Sequence, residues 1–325
     1  MHTTWSRRSF LAAGTLLVAA CSRATPPGEV AHDGSVTVDH VFGKTKIPAA
    51  PKRVVCAGLT GQDEVLALGT APVAVTKWLP DQPSGVWPWA RTQLGANTPT
   101  VLSLADGVQT DKISALKPDL IVATNAGLDS DTYAQLAKIA PTLAQSDTEA
   151  FFEPWQQQAT AIGQAMFRAA DMATMVEAVG AKFAATATAN PGLASQKVLL
   201  LNGDVTRDGV QITTASWRTD FLTKMGMHIP GGLERFARGQ HAMLPRDQFS
   251  AILDGADALI WTTDHDKQRD AILADPAIKD LNVAKTARIV FPDNDLSAAI
   301  AFSSVLSLPV VADQLPPLII KAVRG

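Results

Sequence analysis

Asp111-Lys112-Ile113-Ser114-Ala115-Leu116, ahead of the apolar run Leu120-Ile121-Val122, and Asp247-Gln248-Phe249-Ser250-Ala251-Ile252, ahead of Ala258-Leu259-Ile260-Trp261, are two renderings of one pattern. Each reads Asp-x-apolar-Ser-Ala-apolar, a short helix followed by a strand. Around the first copy the spacing predicts strands at Val54–Ala57, Val73–Thr76 and Leu120–Thr124. Helices fall between them at Asp63–Leu68 closed by Gly69, Asp111–Leu116, and Thr132–Ala140 stopped by Pro141. Around the second copy come strands Val198–Asn202, Ala258–Thr262 and Arg288–Phe291, with helices at Trp217–Met225, Asp247–Leu253 and Lys267–Leu273. Short β-branched runs alternating with helices argue for an α/β fold with mainly parallel sheets. The recurrence makes it a duplicated, two-lobe protein. The tail Ser297–Val323 reads as helical except at Pro309 and Pro316-Pro317.

Between the two series, Glu153–Ala189 carries apolar residues at Ile162, Met166, Met172, Met175, Val176, Val179 and Phe183, with no proline after Pro154. That recurrence marks one helical face. A single helix here would run about 45–50 Å and act as a strut between lobes. The alternative is two helices broken near Gly163 or Ala169-Ala170. The layout is then an N-terminal lobe over 36–152, an interlobe helix over 153–190 and a C-terminal lobe over 191–325.

The first residues read as an address. Ser6-Arg7-Arg8-Ser9-Phe10-Leu11, an apolar run to Ala20 and then Cys21 follow the order of an export signal over 1–20 that ends in a lipid-attachment cysteine. The apolar run is about half of what a membrane-spanning helix needs. Val18-Ala19-Ala20-Cys21 resembles the bacterial lipobox, and the paired arginines resemble the twin-arginine motif. Residues 21–35 then form a lipidated, flexible tether. The reading places the chain outside the cytoplasmic membrane, anchored by its N-terminal lipid.

Composition narrows the function. Of 325 residues, 46% are hydrophobic and 18% charged, and the formal charge of −3 becomes −5 once Arg7 and Arg8 leave with residues 1–20. Nothing there invites nucleic acid. Cys56, in Val54-Val55-Cys56-Ala57, is the only cysteine besides Cys21, so a disulfide framework is excluded. Serine-elbow, dinucleotide, Walker-type and zinc-helix motifs are all missing, and Asp264-His265-Asp266 lacks a placed nucleophile. Catalysis is not expected.

Val41-Phe42-Gly43-Lys44-Thr45-Lys46-Ile47-Pro48, Pro51-Lys52-Arg53-Val54-Val55 and Leu116-Lys117-Pro118-Asp119-Leu120-Ile121-Val122 resemble periplasmic binding proteins for iron-siderophore complexes and cobalamin. Gly85-Val86-Trp87-Pro88-Trp89 and Phe152-Glu153-Pro154-Trp155 are similar to actinobacterial ferric-siderophore lipoproteins of that family. The resemblance covers roughly 36–320 and implies a class III architecture of two lobes on one rigid helix. It implies a monomeric substrate-binding subunit of an ABC importer, partnered by a permease and an ATPase, with no intrinsic cofactor and a ferric siderophore as cargo. Haem is the alternative ligand, then cobalamin; a non-transport envelope scaffold would keep the same fold.

Ligands of open parallel sheets sit outside the carboxyl ends of the strands. The segments after each predicted strand therefore supply the candidates: 58–62, 77–89, 103–109, 125–129, 203–218, 235–246, 263–267 and 293–296. They carry Trp78, Trp87, Trp89 and Asn125 in the first lobe and Trp217, Arg218, Arg235, Arg238, Arg246 and His265 in the second. Aromatic faces beside arginines suit a bulky, complexed metal. Direct metal coordination is disfavoured, because the first lobe offers only His40 while His228, His241 and His265 lie in the second half. For haem the single Tyr133 reads as a packing residue, which leaves His241 or His265 as axial candidates. By resemblance, Asp111 and Asp247 stand where relatives place acidic residues that engage permease arginines. Helix capping is the competing role for both.

Overall fold

The computed structural model describes residues 25–78, 82–147 and 151–324. Cys21 and the Arg7-Arg8 pair lie outside them. Strands β1 (Val36–His40) and β2 (Gly43–Ile47) pair antiparallel as a hairpin. Then come β3 (Val54–Cys56), β4 (Ala74–Thr76), β5 (Thr100–Leu102), β6 (Leu120–Val122) and β7 (Thr142–Leu143). They form a wholly parallel sheet in the order β5-β4-β3-β6-β7. Strand order reverses between β3 and β6, so a crevice opens at the carboxyl ends of those two strands. Helices α1 (Gln62–Ala67), α2 (Arg91–Leu94), α3 (Thr110–Ala115) and α4 (Ser130–Ala137) make the crossovers.

The second lobe contributes β8 (Val198–Asn202), β9 (Val210–Thr213), β10 (Ala237–Arg238), β11 (His241–Leu244), β12 (Ala258–Thr262) and β13 (Ile289–Val290). Their order is β10-β11-β9-β8-β12-β13, with β8, β12 and β13 parallel and β9 antiparallel to both its neighbours. The internal echo holds at hydrogen-bond level. Asp119, just before β6, accepts the backbone N–H groups of Lys52 and Arg53 just before β3, each at 2.8 Å. Asp257, just before β12, accepts the N–H of Lys197 just before β8 at 2.7 Å. In each lobe one aspartate ties the starts of two adjacent parallel strands.

The single 153–190 strut is not what forms. The chain makes two helices, α5 (Trp155–Ala165) and α6 (Ala169–Ala189), which turn on Met166, Phe167 and Arg168 and pack against each other. Phe167 takes a positive φ of 60° there. At the crossing a Cβ on Gly163 would stand 2.6 Å from the Cβ of Met172, so only glycine allows the approach. The apolar periodicity runs unbroken through the turn because both helices bury their stripes in the same core. Helix α5 packs on β1 and α1 of the first lobe, and α6 on α7 (Asp220–Lys224) of the second.

Helices α8 (Phe249–Leu253), α9 (Asp266–Ala274), α10 (Pro276–Lys279), α11 (Asn282–Lys285), α12 (Asn294–Phe302) and α13 (Ser307–Arg324) complete the second lobe. Contrary to the expected breaks at Pro309 and Pro316-Pro317, α13 is continuous. Pro309 sits in the first turn, where an amide has no intrahelical acceptor. Pro316 deprives the carbonyl of Ala312 of its partner, and the Thr186 hydroxyl of α6 approaches that oxygen at 3.5 Å. Lys182 of α6 pairs with Asp313 at 2.7 Å one residue on. Val54 and Val122 of one sheet, Val198 and Leu200 of the other, and residues of α5, α6 and α13 share one core, so the lobes are fused. No helix among the described residues is long and apolar enough to cross a membrane.

Candidate functional site

The crevice between β3 and β6 is filled by polar side chains rather than left open. Asn125, 3% exposed and at a positive φ of 55°, donates to the Thr60 hydroxyl at 2.6 Å and to Gln158 Oε1 at 2.7 Å. Its own oxygen accepts the backbone N–H of Glu153 at 3.1 Å. Gln158 in turn donates to Glu64 at 3.3 Å. Asn125 thus fastens the chain at Glu153 to two strand ends. Next to that joint Phe152 also takes a positive φ, 58°. Such conformations cost of order 1–3 kcal/mol and persist where the surroundings fix them. The Glu153 carboxyl accepts from the backbone and hydroxyl of Ser146, and burial pushes it above the usual carboxylate range.

Above this network aromatic rings run from one lobe to the other. Trp78 packs on Phe152 at 5.1 Å and on Phe302, the last residue of α12, at 5.3 Å. Trp89 meets Phe302 edge-on at 5.6 Å and stacks on Trp87 at 5.2 Å. From the second lobe, the Arg218 guanidinium lies 5.0 Å from the Phe152 ring centre and 4.5 Å from that of Trp217. It also reaches the Phe152 carbonyl at 3.4 Å and donates to Gln240 at 2.8 Å.

The predicted residues divide accordingly. Trp78, Trp217 and Arg218 meet at the interlobe cluster. Trp87 is 3% exposed and closes a small core with Ala298 and Phe302. Trp89 donates its indole N–H to Asp63 at 2.8 Å, and Ser304 donates to the same carboxyl, which ties α1 to the corner between α12 and α13. Arg246 is held at the far end of the second sheet by Asp275 at 2.6 Å and the Thr206 carbonyl at 3.1 Å. His265 caps α9, its Nδ1 accepting the backbone N–H of Gln268 at 3.1 Å. Arg235 is exposed, stacked on Phe236 and bonded to Gln248. Arg238 is exposed on edge strand β10.

In the second lobe the strand-end rule points the wrong way for part of the site. Thr213 of β9 pairs with Leu200 of β8, near the middle of that strand, because β9 runs antiparallel. The residues after β9, Trp217 and Arg218 among them, therefore return toward the amino ends of β8 and β12. Residues 203–209, with Arg246 and His265, gather at the opposite end. His241 stands near Arg218, and burial together with that charge lowers its pKa. Tyr133 stacks on Phe42 at 4.9 Å and neighbours His40 and Thr45, which makes it a packing residue.

Asp111 and Asp247 are both exposed near the starts of α3 and α8. Neither is the cap residue of its helix: those positions fall to Gln109 and Gln248, which make no side-chain cap bond. The described residues hold no group of three or more histidine, cysteine or acidic side chains able to bind a bare metal ion.

The family model described as periplasmic binding protein matches residues 54–296. The crystal structure of a periplasmic solute binding protein from Mycobacterium smegmatis superposes with a TM-score of 0.84 at 52% identity, covering 90% of this chain and 99% of that one. The "Putative ABC transporter substrate-binding lipoprotein YhfQ" of Bacillus subtilis is 31% identical over 225 residues, 65% of this chain and 64% of that protein. The Fe(3+)-citrate-binding protein YfmC of the same organism is 30% identical over 162 residues, 49% of each chain. The chain thus spans 64% and 49% of the length of these two curated relatives.

Proposed function

The chain belongs to the periplasmic binding protein family, and on that premise we propose that it is the lipid-anchored substrate-binding component of an ABC importer, capturing a ferric chelate between its lobes. The observation that carries this is the interlobe stack of Trp78, Phe152, Trp217 and Arg218, with Phe302 behind it. Aromatic faces and a guanidinium drawn from both lobes suit a bulky complex that touches both at once. An Fe(3+)-citrate-binding relative supports iron as the cargo. Haem loses one of its two axial candidates, since His265 is spent as a cap, and Tyr133 is packed as expected. Cys21 carries the lipid and Arg7-Arg8 direct twin-arginine export; replacing both arginines by lysine blocks export on that route. Asp111 and Asp247 face the permease, which an ATPase drives.

Two tryptophans of the cluster report on binding directly. Titration of the purified chain with a panel of ferric siderophores, haemin and cobalamin gives saturable quenching of tryptophan fluorescence by one or more iron chelates. Silence toward every iron complex would leave an envelope scaffold as the better reading, and chemical conversion of a ligand would point to an enzyme.

A further inference from the structure

The second lobe also carries a half-covered sheet face. Directly paired residues on neighbouring strands share a face. The register therefore sets Arg238, His241, Thr213 and Leu200 in one row across β10, β11, β9 and β8, with Met243, Gln211 and Asn202 in the next. On β8, β12 and β13 this face is roofed, since Leu200, Ile260 and Val290 share a core with Leu296, Ala299 and Ile300 of α12. No residue of β9, β10 or β11 joins that core. Past β8 Thr213 is still buried at 4% exposure, and beyond it the face opens: Arg238 is exposed, Met243 is 46% exposed, and His241 and Gln211 are half-buried. Strands β9, β11 and β10 at about 4.8 Å spacing make the open part of this wall about 10 Å wide.

Three buried polar atoms of this lobe have no hydrogen-bond partner among the described residues: His241 Nδ1 in the first row, Asn202 Oδ1 at the β8 end of the second, and Trp217 Nε1 beside Arg218. Buried polar groups are nearly always satisfied, so orphans gathered beside an open face point to a ligand. Neither row contains a carboxylate, while Arg238 lies in the first row and Arg218 beside His241.

We propose that this open half-face is the wall that reads the ligand's periphery, and that the ligand is a ferric chelate bearing peripheral carboxylate oxygens together with a hydroxyl or amide hydrogen. The proposal rests on the chelate-binding reading above. The indole N–H of Trp217 and the guanidinium of Arg238 donate to anionic oxygens, for which the planar guanidinium fork is shaped. Asn202 Oδ1 accepts and so calls for a hydroxyl or amide N–H. His241 Nδ1 takes either role with its tautomer. A neutral trihydroxamate spends its anionic oxygens on iron and leaves Arg238 unmatched.

Arg235, which the structure takes out of the ligand candidates by placing it off both rows in the turn before β10 and bonding it to Gln248, supplies the control as an exposed arginine three residues away. The full chain in detergent, as wild type, Arg238→Gln and Arg235→Gln, is titrated with ferric citrate and with ferrichrome, a neutral trihydroxamate, and thermal unfolding confirms that each variant folds. Ferric citrate binds the wild type more tightly than ferrichrome. Arg238→Gln weakens it about tenfold, the loss of one charge-assisted contact, and Arg235→Gln leaves it unchanged. Tighter binding of ferrichrome, or equal effects of the two substitutions, overturns the wall while the chelate-binding reading stands. Failure of every iron chelate to bind the wild type refutes that underlying reading itself.

Discussion

Asp63 shows how one buried carboxyl links the lobes and makes that link sensitive to pH. It is 1% exposed on α1, accepts from Trp89 and Ser304, and burial pushes its pKa from 3.8 up to about 7. Neighbouring Glu64, also buried, is held well above the carboxylate range by burial and by the charge of Asp63. A pKa raised on folding means that the stability tied to Asp63 is complete below about pH 4 and is lost as pH rises through 7. The full swing is about 4 kcal/mol. Asp63→Asn keeps an oxygen for both donors and carries no charge. Thermal unfolding between pH 5 and pH 8 should show the wild type losing more stability than the variant, which keeps only the contribution of buried Glu64, with Asp63→Asn the more stable protein at pH 8. Parallel pH slopes for the two would refute the assignment. Residues of this kind escape a linear reading: Asp63 and Phe302 meet their partners only through the closed fold, whereas Trp78, Trp217 and Arg218 stand out in the sequence as large aromatic and cationic side chains in loops.

At the scale of elements, what can be read from the sequence is what repeats locally. The β-branched runs of β3, β6, β8 and β12 and the duplicated Asp-x-apolar-Ser-Ala-apolar helices are visible because each is buried on a regular period. Strand β7 has only two residues, and β5 leaves Thr100 and Val101 exposed, so neither shows a buried run. Strands β9 and β11 turn Gln211, His241 and Met243 toward a partly open face, and that polar alternation reads as loop. The turn between α5 and α6 contains neither proline nor glycine, and the feature that permits it lies at Gly163, where the bare backbone meets the Met172 side chain. Two glycines separate the competing effects. Alanine is favoured over glycine inside a helix by about 1 kcal/mol. At Gly180 of α6, where a Cβ meets nothing within 4 Å, Gly180→Ala should stabilise by about that amount. At Gly163 the overlap with the Met172 Cβ cannot be relieved by a side-chain rotation, and overpacking of about 1–3 kcal/mol outweighs the gain. Chemical denaturation of Gly163→Ala and Gly180→Ala should therefore give shifts of opposite sign; a stabilised Gly163→Ala would mean that α5 and α6 do not cross this closely.

For the whole molecule, the two lobes present outer surfaces of similar construction. Helix α3 packs through Ile113 on the face of the first sheet that carries Val55 and Ile121. Helix α8 packs through Phe249 and Leu253 on the face of the second that carries Leu199 and Leu259. Both faces lie away from the core the lobes share, so Asp111 and Asp247 are presented at equivalent places, one on each lobe. Because neither aspartate caps its helix, the fold makes little use of their charge, and a partner is free to use it. A transporter that grips both lobes through these carboxylates would register their relative placement, which the shared core holds fixed. Exposed charges at the rim of an interface act mainly on association and orientation. Asp111→Arg with Asp247→Arg should accordingly abolish uptake of the iron chelate by cells, each single variant should impair it, and binding of the chelate to the purified double variant should match wild type. Uptake that survives the double charge reversal would remove these residues from the docking surface, and lost chelate affinity would place them in the ligand site instead.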